Sequence, residues 1–232
     1  MNREEATVIV AVFNAVKPLE LAVRSLFSYH PQAILWAWDN GSSDGAMEYA
    51  QKAASRMFYG DHHTEHGYAL DEMAKQVQTE FTVTMDSDVE FTGAAIDDAI
   101  AALRKNSRLF CVCLSTKESV GISSWFGYEL VGQPRLDPAF AVFRTKQLQA
   151  ILSRVSFCLH FCFGQKRLFD VGAMIYAVDP DGVLQENGLW DKVIHYGGLS
   201  TLFKDKGIPD SLRKVLHGRM DTVIERLKLY GR

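Results

Sequence analysis

The sequence predicts a doubly wound α/β fold, with a mostly parallel central sheet flanked by helices. Three observations predict it. Strand-like and helix-like segments alternate through residues 1–91. The strand-like segments are apolar almost throughout, as strands covered on both faces are. Polar and carboxylate residues collect just beyond the ends of those segments, where open α/β sheets bind their ligands.

Thr7-Val8-Ile9-Val10-Ala11-Val12-Phe13 reads as the first strand. Asn14-Ala15-Val16-Lys17-Pro18 is a turn, with Pro18 in the first turn of a helix that reaches about Tyr29. Its Leu21, Ala22, Leu26 and Phe27 recur at helical spacing. Ala33 to Trp38 is a second strand and runs into Asp39-Asn40-Gly41-Ser42-Ser43-Asp44-Gly45. Glycines and short polar residues suit a tight turn there, and its N–H groups can bind an anion or cap a helix. A helix to about Arg56, a short strand near Met57-Phe58-Tyr59, a polar run over 60–67 and a helix from about Tyr68 to Val77 follow.

Phe81-Thr82-Val83-Thr84-Met85-Asp86-Ser87-Asp88 then alternates as a buried strand and closes on two carboxylates. In extended backbone, residues two apart face the same side. Two such carboxylates repel unless a cation or hydrogen bonds balance them. A divalent metal, which prefers hard oxygen ligands and itself holds phosphates, is one balance. A solvated Asp-Ser-Asp turn is the plainer alternative.

Beyond this stretch the pattern gives a helix over 93–104 and a strand over 109–114. The segment 119–134 holds Trp125, Phe126 and Tyr128, aromatics that either stack on a sugar ring or other acceptor or simply pack. A strand over 138–143, a helix over 146–155 and a helix from Arg167 to Val178 come next, with Asp170 near the first turn of the last. A short strand delivers His195 into the glycine-bearing loop Tyr196-Gly197-Gly198-Leu199-Ser200. A histidine there is either a third metal ligand or a structural residue. From Pro209 to Tyr230 an amphipathic helix carries a basic excess. It docks on the domain, pairs two copies as a homodimer, or lies on an anionic membrane as a peripheral contact.

The 232 residues suit one large domain with a small appendage. A net charge of -3 argues against a nucleic-acid partner. No apolar run is long enough to span a bilayer, and Met1-Asn2-Arg3-Glu4-Glu5 lacks a signal-peptide core, so the expected location is cytoplasmic. Cys111, Cys113, Cys158 and Cys162 lack the Cys-x-x-Cys spacing of zinc sites and lie in apolar runs, so buried, reduced thiols are expected.

Val8-Ile9-Val10-Ala11-Val12-Phe13-Asn14, Trp38-Asp39-Asn40-Gly41-Ser42-Ser43-Asp44-Gly45 and Met85-Asp86-Ser87-Asp88 together resemble family 2 glycosyltransferases of the GT-A fold. His66-Gly67-Tyr68-Ala69-Leu70-Asp71 is similar to a segment that precedes the Asp-x-Asp motif in that family. The resemblance is close over 7–91 and looser beyond, where Phe169-Asp170-Val171-Gly172 and His195 to Ser200 resemble C-terminal segments of some members. It implies a GT-A domain over 1–205, with a nucleotide-binding half (1–91) and an acceptor-side half (92–205), and a helical tail over 206–232.

The resemblance further implies a nucleotide-diphospho-sugar donor, Mn2+ or Mg2+, and a hydroxyl acceptor on a glycan, glycolipid or protein. On its pattern, Phe13 and Asn14 line the nucleotide pocket, Asp39 accepts from the base, and Asp44 shapes the pocket. Gly67 and Asp71 lie near ribose and phosphates. Asp86 contacts ribose or metal-bound water, Asp88 ligates the metal, and His195 is the third member of the metal site. An inverting enzyme of this kind needs a carboxylate base to deprotonate the acceptor. Asp170 is the first choice, because it follows the metal motif at a plausible distance and lies at the start of an expected helix, with Asp191 and Asp137 as alternatives; the Glu-Asp pair that many relatives carry in this region is absent here. Two other functions compete: a sugar-phosphate nucleotidyltransferase, which would favour a glycine-rich, Arg/Lys-bearing loop after the first strand, and a non-catalytic scaffold that keeps the nucleotide fold.

Overall fold

Val8, Val10 and Val12 alternate with Ile9 and Ala11, so a strand built from them presents an apolar row to each face of a sheet. The computed structural model bears this out. It describes residues 5–61, 64–115, 124–125, 128–131, 136–158, 160–162, 167–169, 171–197, 199 and 210–231. The strand is β1 (Ala6–Val12). It is followed by α1 (Val16–Tyr29), β2 (Ile34–Asp39), α2 (Ala46–Ala53), β3 (Arg56–Tyr59), α3 (His66–Ala74) and β4 (Phe81–Asp86). Next come β5 (Val89–Phe91), α4 (Ala95–Lys105), β6 (Cys111–Leu114), β7 (Ser124–Trp125), β8 (Tyr128–Val131), β9 (Phe140–Arg144) and α5 (Thr145–Leu152). The chain continues through β10 (His160–Cys162), β11 (Arg167–Phe169), α6 (Ala173–Val178), β12 (Val183–Glu186), β13 (Val193–His195) and α7 (Asp210–Leu227).

Among the described residues the central sheet has seven strands in the order β12-β6-β9-β4-β1-β2-β3. All neighbours are parallel except β9, which runs antiparallel to both β4 and β6. Val8, Val10, Val12, Val83 and Met85 bury one face against α1, α2 and α4. Ile9, Trp38, Cys111, Cys113 and Phe143 bury the other against α3, α5 and α6. Two buried layers on one sheet are the doubly wound arrangement that the sequence predicts. A second sheet has the order β10-β11-β8-β7, and β5 with β13 forms a separate antiparallel ribbon.

Several boundaries differ from expectation for local reasons. Helix α1 opens at Val16, ahead of Pro18, because Asp44 Oδ2 accepts from Val16 N at 2.9 Å. Helix α3 closes at Ala74, where Gln149 Nε2 donates to the carbonyls of Ala74 and Val77 at 3.0 and 2.9 Å. The expected helix over Arg167–Val178 is a correction. Residues 167–169 are strand β11, paired with β8 and β10, and only 173–178 are helical. Gly172 separates the two with a left-handed φ of 83°, which interrupts any continuous helix. Part of the segment read as an aromatic loop forms β7 and β8.

Helix α7 packs on α1 and on the loop after β13. Leu216 and Val223 are buried with Leu21, Tyr196 and Leu199. Arg24 Nη1 donates to Tyr230 O at 2.9 Å. Of the three placements open to the tail, docking on the domain is the one observed. Leu212, Val215, Ile224 and Leu229 stay exposed. Among the described residues no helix is long and apolar enough to cross a membrane.

Candidate metal and nucleotide site

The loops after β1 and β2 are stitched together by short polar side chains. Asn14 and Ala15 both adopt left-handed backbone, with φ of 53° and 65°, unusual for residues that carry a Cβ. Hydrogen bonds from the next loop hold them. Asn14 N donates to Ser42 Oγ at 2.8 Å, and Ser43 N donates to Asn14 Oδ1 at 2.8 Å. Asp44 Oδ1 accepts from Ala46 N at 3.1 Å at the start of α2. Phe13, half-buried, stands between β1 and this knot.

Asp39 closes β2 and is 2% exposed. Its Oδ2 accepts from Gly41 N and Ser42 N at 3.0 and 3.1 Å. Its Oδ1 is buried and has no hydrogen-bond partner among the described residues. The same holds for Trp38 Nε1 and Asn40 Oδ1. Both lie against Gly60, where a Cβ would come within 2.5 Å of the first and 3.0 Å of the second. Buried polar atoms are nearly always satisfied by protein, water or ligand. This end of the sheet therefore carries hydrogen-bonding capacity that the described residues do not use.

The second half of the site sits at the end of β4. Asp86, Asp88 and His195 bring one ligand atom each within 4.8 Å of the others. His195 Nε2 is 3.4 Å from Asp86 Oδ2 and 3.2 Å from Asp88 Oδ1. The ribbon explains how a residue so distant in sequence arrives there. His195 pairs with Val89 across β5 and β13, Tyr196 N donates to Asp88 O at 3.0 Å, and Leu199 N donates to Asp88 Oδ2 at 3.1 Å. One oxygen of Asp88 is thus held by the backbone while the other faces His195. Asp86 is fixed by its N–H, which donates to Ala139 O at 3.0 Å.

Burial pulls the His195 pKa down, but the carboxylates of Asp86 and Asp88 outweigh it and hold the imidazole well above 6.5. A protonated imidazole cannot ligate, so a cation and that proton compete for one position. Two carboxylates and an imidazole fit a divalent cation that accepts mixed oxygen and nitrogen donors. Sequence reasoning missed His66, whose Nε2 lies 3.5 Å from Asp86 Oδ1 on the opposite side from His195. It opens α3, and a lone histidine at a helix start has no spacing that marks it.

The other sequence-predicted residues are placed as follows. Asp71 turns inward: Oδ1 accepts from Phe157 N at 3.0 Å and Oδ2 from Ser156 Oγ at 2.5 Å. Burial raises its pKa, and those two hydrogen bonds oppose the rise. Its carboxylate holds the 156–158 loop against α3. Gly67 makes the same contact possible, because a Cβ there would come within 2.5 Å of the Cys158 backbone. Asp137 Oδ1 accepts from Ala139 N at 3.0 Å, in the turn that holds Asp86. Asp191 is exposed, and its carbonyl accepts from Thr92 Oγ1 at 3.1 Å. Asp170 lies outside the described residues. Cys111 and Cys113 are buried in β6, and burial pushes the half-buried Cys158 thiol up to about 11. Among the described residues the metal-type cluster contains no cysteine.

The comparisons with known proteins follow this geometry. No curated protein matches the sequence. Among solved structures, the mannosyltransferase PcManGT from Pyrobaculum calidifontis, in complex with GDP-Man and Mn2+, aligns at 13% identity with a TM-score of 0.56. That alignment covers 99% of this chain and 75% of PcManGT, and the likeness is one of fold. S. aureus TarS 1-349, in complex with UDP-GlcNAc, aligns at 19% identity with a TM-score of 0.47, over 63% of this chain and 47% of its own. The model of the family described as glycosyl transferase family 2 matches residues 7–171, a span that includes the knot after β1, Asp39 and the Asp-Ser-Asp stretch. With well over half of its length matched, the chain belongs to glycosyl transferase family 2 and is a glycosyltransferase of the GT-A fold.

Proposed function

We propose that the protein binds a nucleoside-diphosphate sugar with the help of a divalent cation and transfers the sugar to a hydroxyl acceptor. One observation carries the reading. Asp86, Asp88 and His195, from separate elements, converge within 4.8 Å at the end of a central strand. They stand at the same sheet end as the crevice where Asp39 keeps a buried oxygen that has no hydrogen-bond partner among the described residues. The imidazole favours Mn2+ over Mg2+, which prefers oxygen ligands alone. PcManGT, similar in fold, is likewise bound to Mn2+ and a nucleotide sugar.

When bound, the cation neutralises charge on the departing diphosphate. Asp86, Asp88 and His195 would hold it. The chain's own groups orient the donor. Asp39 Oδ1 accepts an N–H of the base, while the Gly41 and Ser42 amides fix the plane of that carboxylate. Phe13, Asn14 and Asp44 form the wall and floor of the pocket, and Gly67 with Asp71 sets the ribose and phosphate side through the loop they hold. The proposed general base is Asp170, with Asp137 and Asp191 as competitors, and the expected course is inversion at the anomeric carbon. A base variant such as Asp170→Asn should lose turnover while keeping donor binding.

Calorimetric titration with UDP, GDP, dTDP and CDP, each with and without Mn2+, tests the reading. One nucleotide should bind tightly only with the metal. Asp88→Ala should weaken that binding by more than about 100-fold, because losing a ligand exceeds the 10–100-fold typical of an outer-shell partner. Metal-independent binding, or binding unchanged in Asp88→Ala, would overturn the metal role.

A further inference from the structure

The ribbon that carries Asp88 and His195 packs Val89, Phe91 and Val193 into the main core and is further held by polar contacts from α1 and α7. β5 and β13 are three residues each and, among the described residues, pair with one another alone. On one side, Ser25 Oγ of α1 accepts from Phe91 N at 3.0 Å. On the other side lies α7, and its polar contacts reach the ribbon at the residues next to the metal-type cluster.

Glu90, two residues after Asp88, is fully buried. It accepts from Tyr196 Oη at 2.7 Å, Tyr230 Oη at 3.0 Å, and Arg226 through Nε and Nη2 at 2.9 and 2.6 Å. Tyr230 Oη also donates to Phe91 O at 3.1 Å. Gly197, with a left-handed φ of 64°, turns the chain just after His195, and Arg219 Nη1 donates to its carbonyl at 2.7 Å. Both residues that follow His195 are therefore held by α7 contacts, Tyr196 through Glu90 and Gly197 through Arg219.

We propose that α7 and the turn that follows it (Lys228–Tyr230) position the cation site, with Arg219 and Arg226 of the helix and Tyr230 of the turn acting through Glu90, Tyr196 and Gly197 to set the distance between Asp88 and His195. The proposal rests on reading Asp86, Asp88 and His195 as cation ligands. Apolar contacts also anchor the helix. Leu216 and Val223 already bury an apolar stripe against Leu21, Tyr196 and Leu199. A buried carboxylate in place of an apolar residue is a poor source of net stability, because desolvation offsets its attraction to the arginine. A forked guanidinium–carboxylate pair does give geometry: it fits in one register only, so α7 cannot slide or rotate while keeping it. Ligand sets are sensitive to such support, and loss of outer-shell partners weakens metal affinity by about 10–100-fold.

The test uses the full chain and Mn2+ alone as the probe. Free Mn2+ is counted by electron paramagnetic resonance, and pulsed measurements on the bound ion read the nitrogen coupling from the His195 imidazole. Arg226→Met should weaken Mn2+ binding about tenfold or more and lose the nitrogen coupling, with Arg226→Lys intermediate. A merely structural role would lower the melting temperature and leave both readouts unchanged. Should Arg226→Met fail to fold, Arg219→Met is read in the same way, since it removes only the bond to Gly197 O. A folded variant that keeps wild-type affinity and nitrogen coupling overturns the proposal. Should the wild type show no bound Mn2+ that Asp88→Ala removes, the cation reading itself fails and the proposal falls with it.

Discussion

His30 is buried at the C-terminal end of α1, its ring edge-on to Phe91 with centroids 5.5 Å apart. Nε2 accepts from Ile96 N at 3.4 Å, and Nδ1 stands 3.4 Å from Asp97 Oδ2. The neutral ring thus carries its proton on Nδ1, towards Asp97. Burial lowers its pKa below 6.5, with Asp97 and then Asp98 opposing the shift. A second proton would have to sit on Nε2, against the Ile96 N–H at the positive end of α4. The unfolded chain therefore binds more protons than the folded one below about pH 6.5. This contribution to stability is present above that pH and is lost as pH falls towards the lower folded value. On going from about pH 7.5 to pH 5.5 the wild type should lose melting temperature relative to His30→Gln, which keeps an acceptor for Ile96 N; the raised His195 pKa acts in the opposite sense in both proteins and drops out of the difference. An acid limb identical in both proteins would refute the assignment.

At the scale of elements, Thr82 of β4 and Thr145 at the start of α5 share a buried hydroxyl pair at 2.9 Å. The pair ties the central strand to the helix that follows the antiparallel β9. Thr→Val keeps the shape and removes one partner, so either single change should cost about 1–3 kcal/mol through the stranded hydroxyl. The double change should be nearly neutral, and denaturant unfolding of the four proteins measures the difference. Strictly additive losses would show that the hydroxyls do not act as a pair. The same contrast between local and distant partners decides which elements were legible. Strands β1, β2 and β4 could be read because both of their faces are buried, with near-continuous apolar runs in β1 and β2 and apolar residues alternating with threonine in β4. β12 is a half-buried edge strand with one neighbour, and its Val183-Leu184-Gln185-Glu186 carries little apolar signal. Residues 167–169 are strand because β8 and β10 accept them, a pairing that no local pattern of Arg-Leu-Phe announces.

For the whole molecule, the buried Glu90 joins α7 to the β5 ribbon across 136 residues of sequence. Truncating Arg226 leaves that carboxylate without its cation. Arg226→Ala should destabilise the protein by about 3 kcal/mol, the lower end for a broken buried pair because Arg226 is itself 35% exposed. Urea unfolding measures it, and a loss below about 0.5 kcal/mol, the size of a surface effect, would mean that water reaches Glu90 freely. The half of the site built from Asn14, Asp39, Asp44, Asp86 and Asp88 was legible, because each lies within a few residues of a strand end that the pattern marks. His195 could be named but not placed. His66 and the Glu90 contacts gave no signal, since long-range side-chain partners leave no period in a sequence.

That separation also orders events in time. A chain folds from its N-terminal side as it is synthesised. β1, β2, β3 and β4 are all made by residue 86 and can pair with one another at once. Asp39 then has its turn partners, the Gly41 and Ser42 amides, while Asp86 still lacks Ala139, Asp88 lacks Tyr196 and Leu199, and Glu90 is an acid without a base. His195 follows more than one hundred residues later, and Arg226 later still. The nascent protein thus holds the Asp39 turn well before it acquires the contacts that fix Asp86, Asp88 and His195.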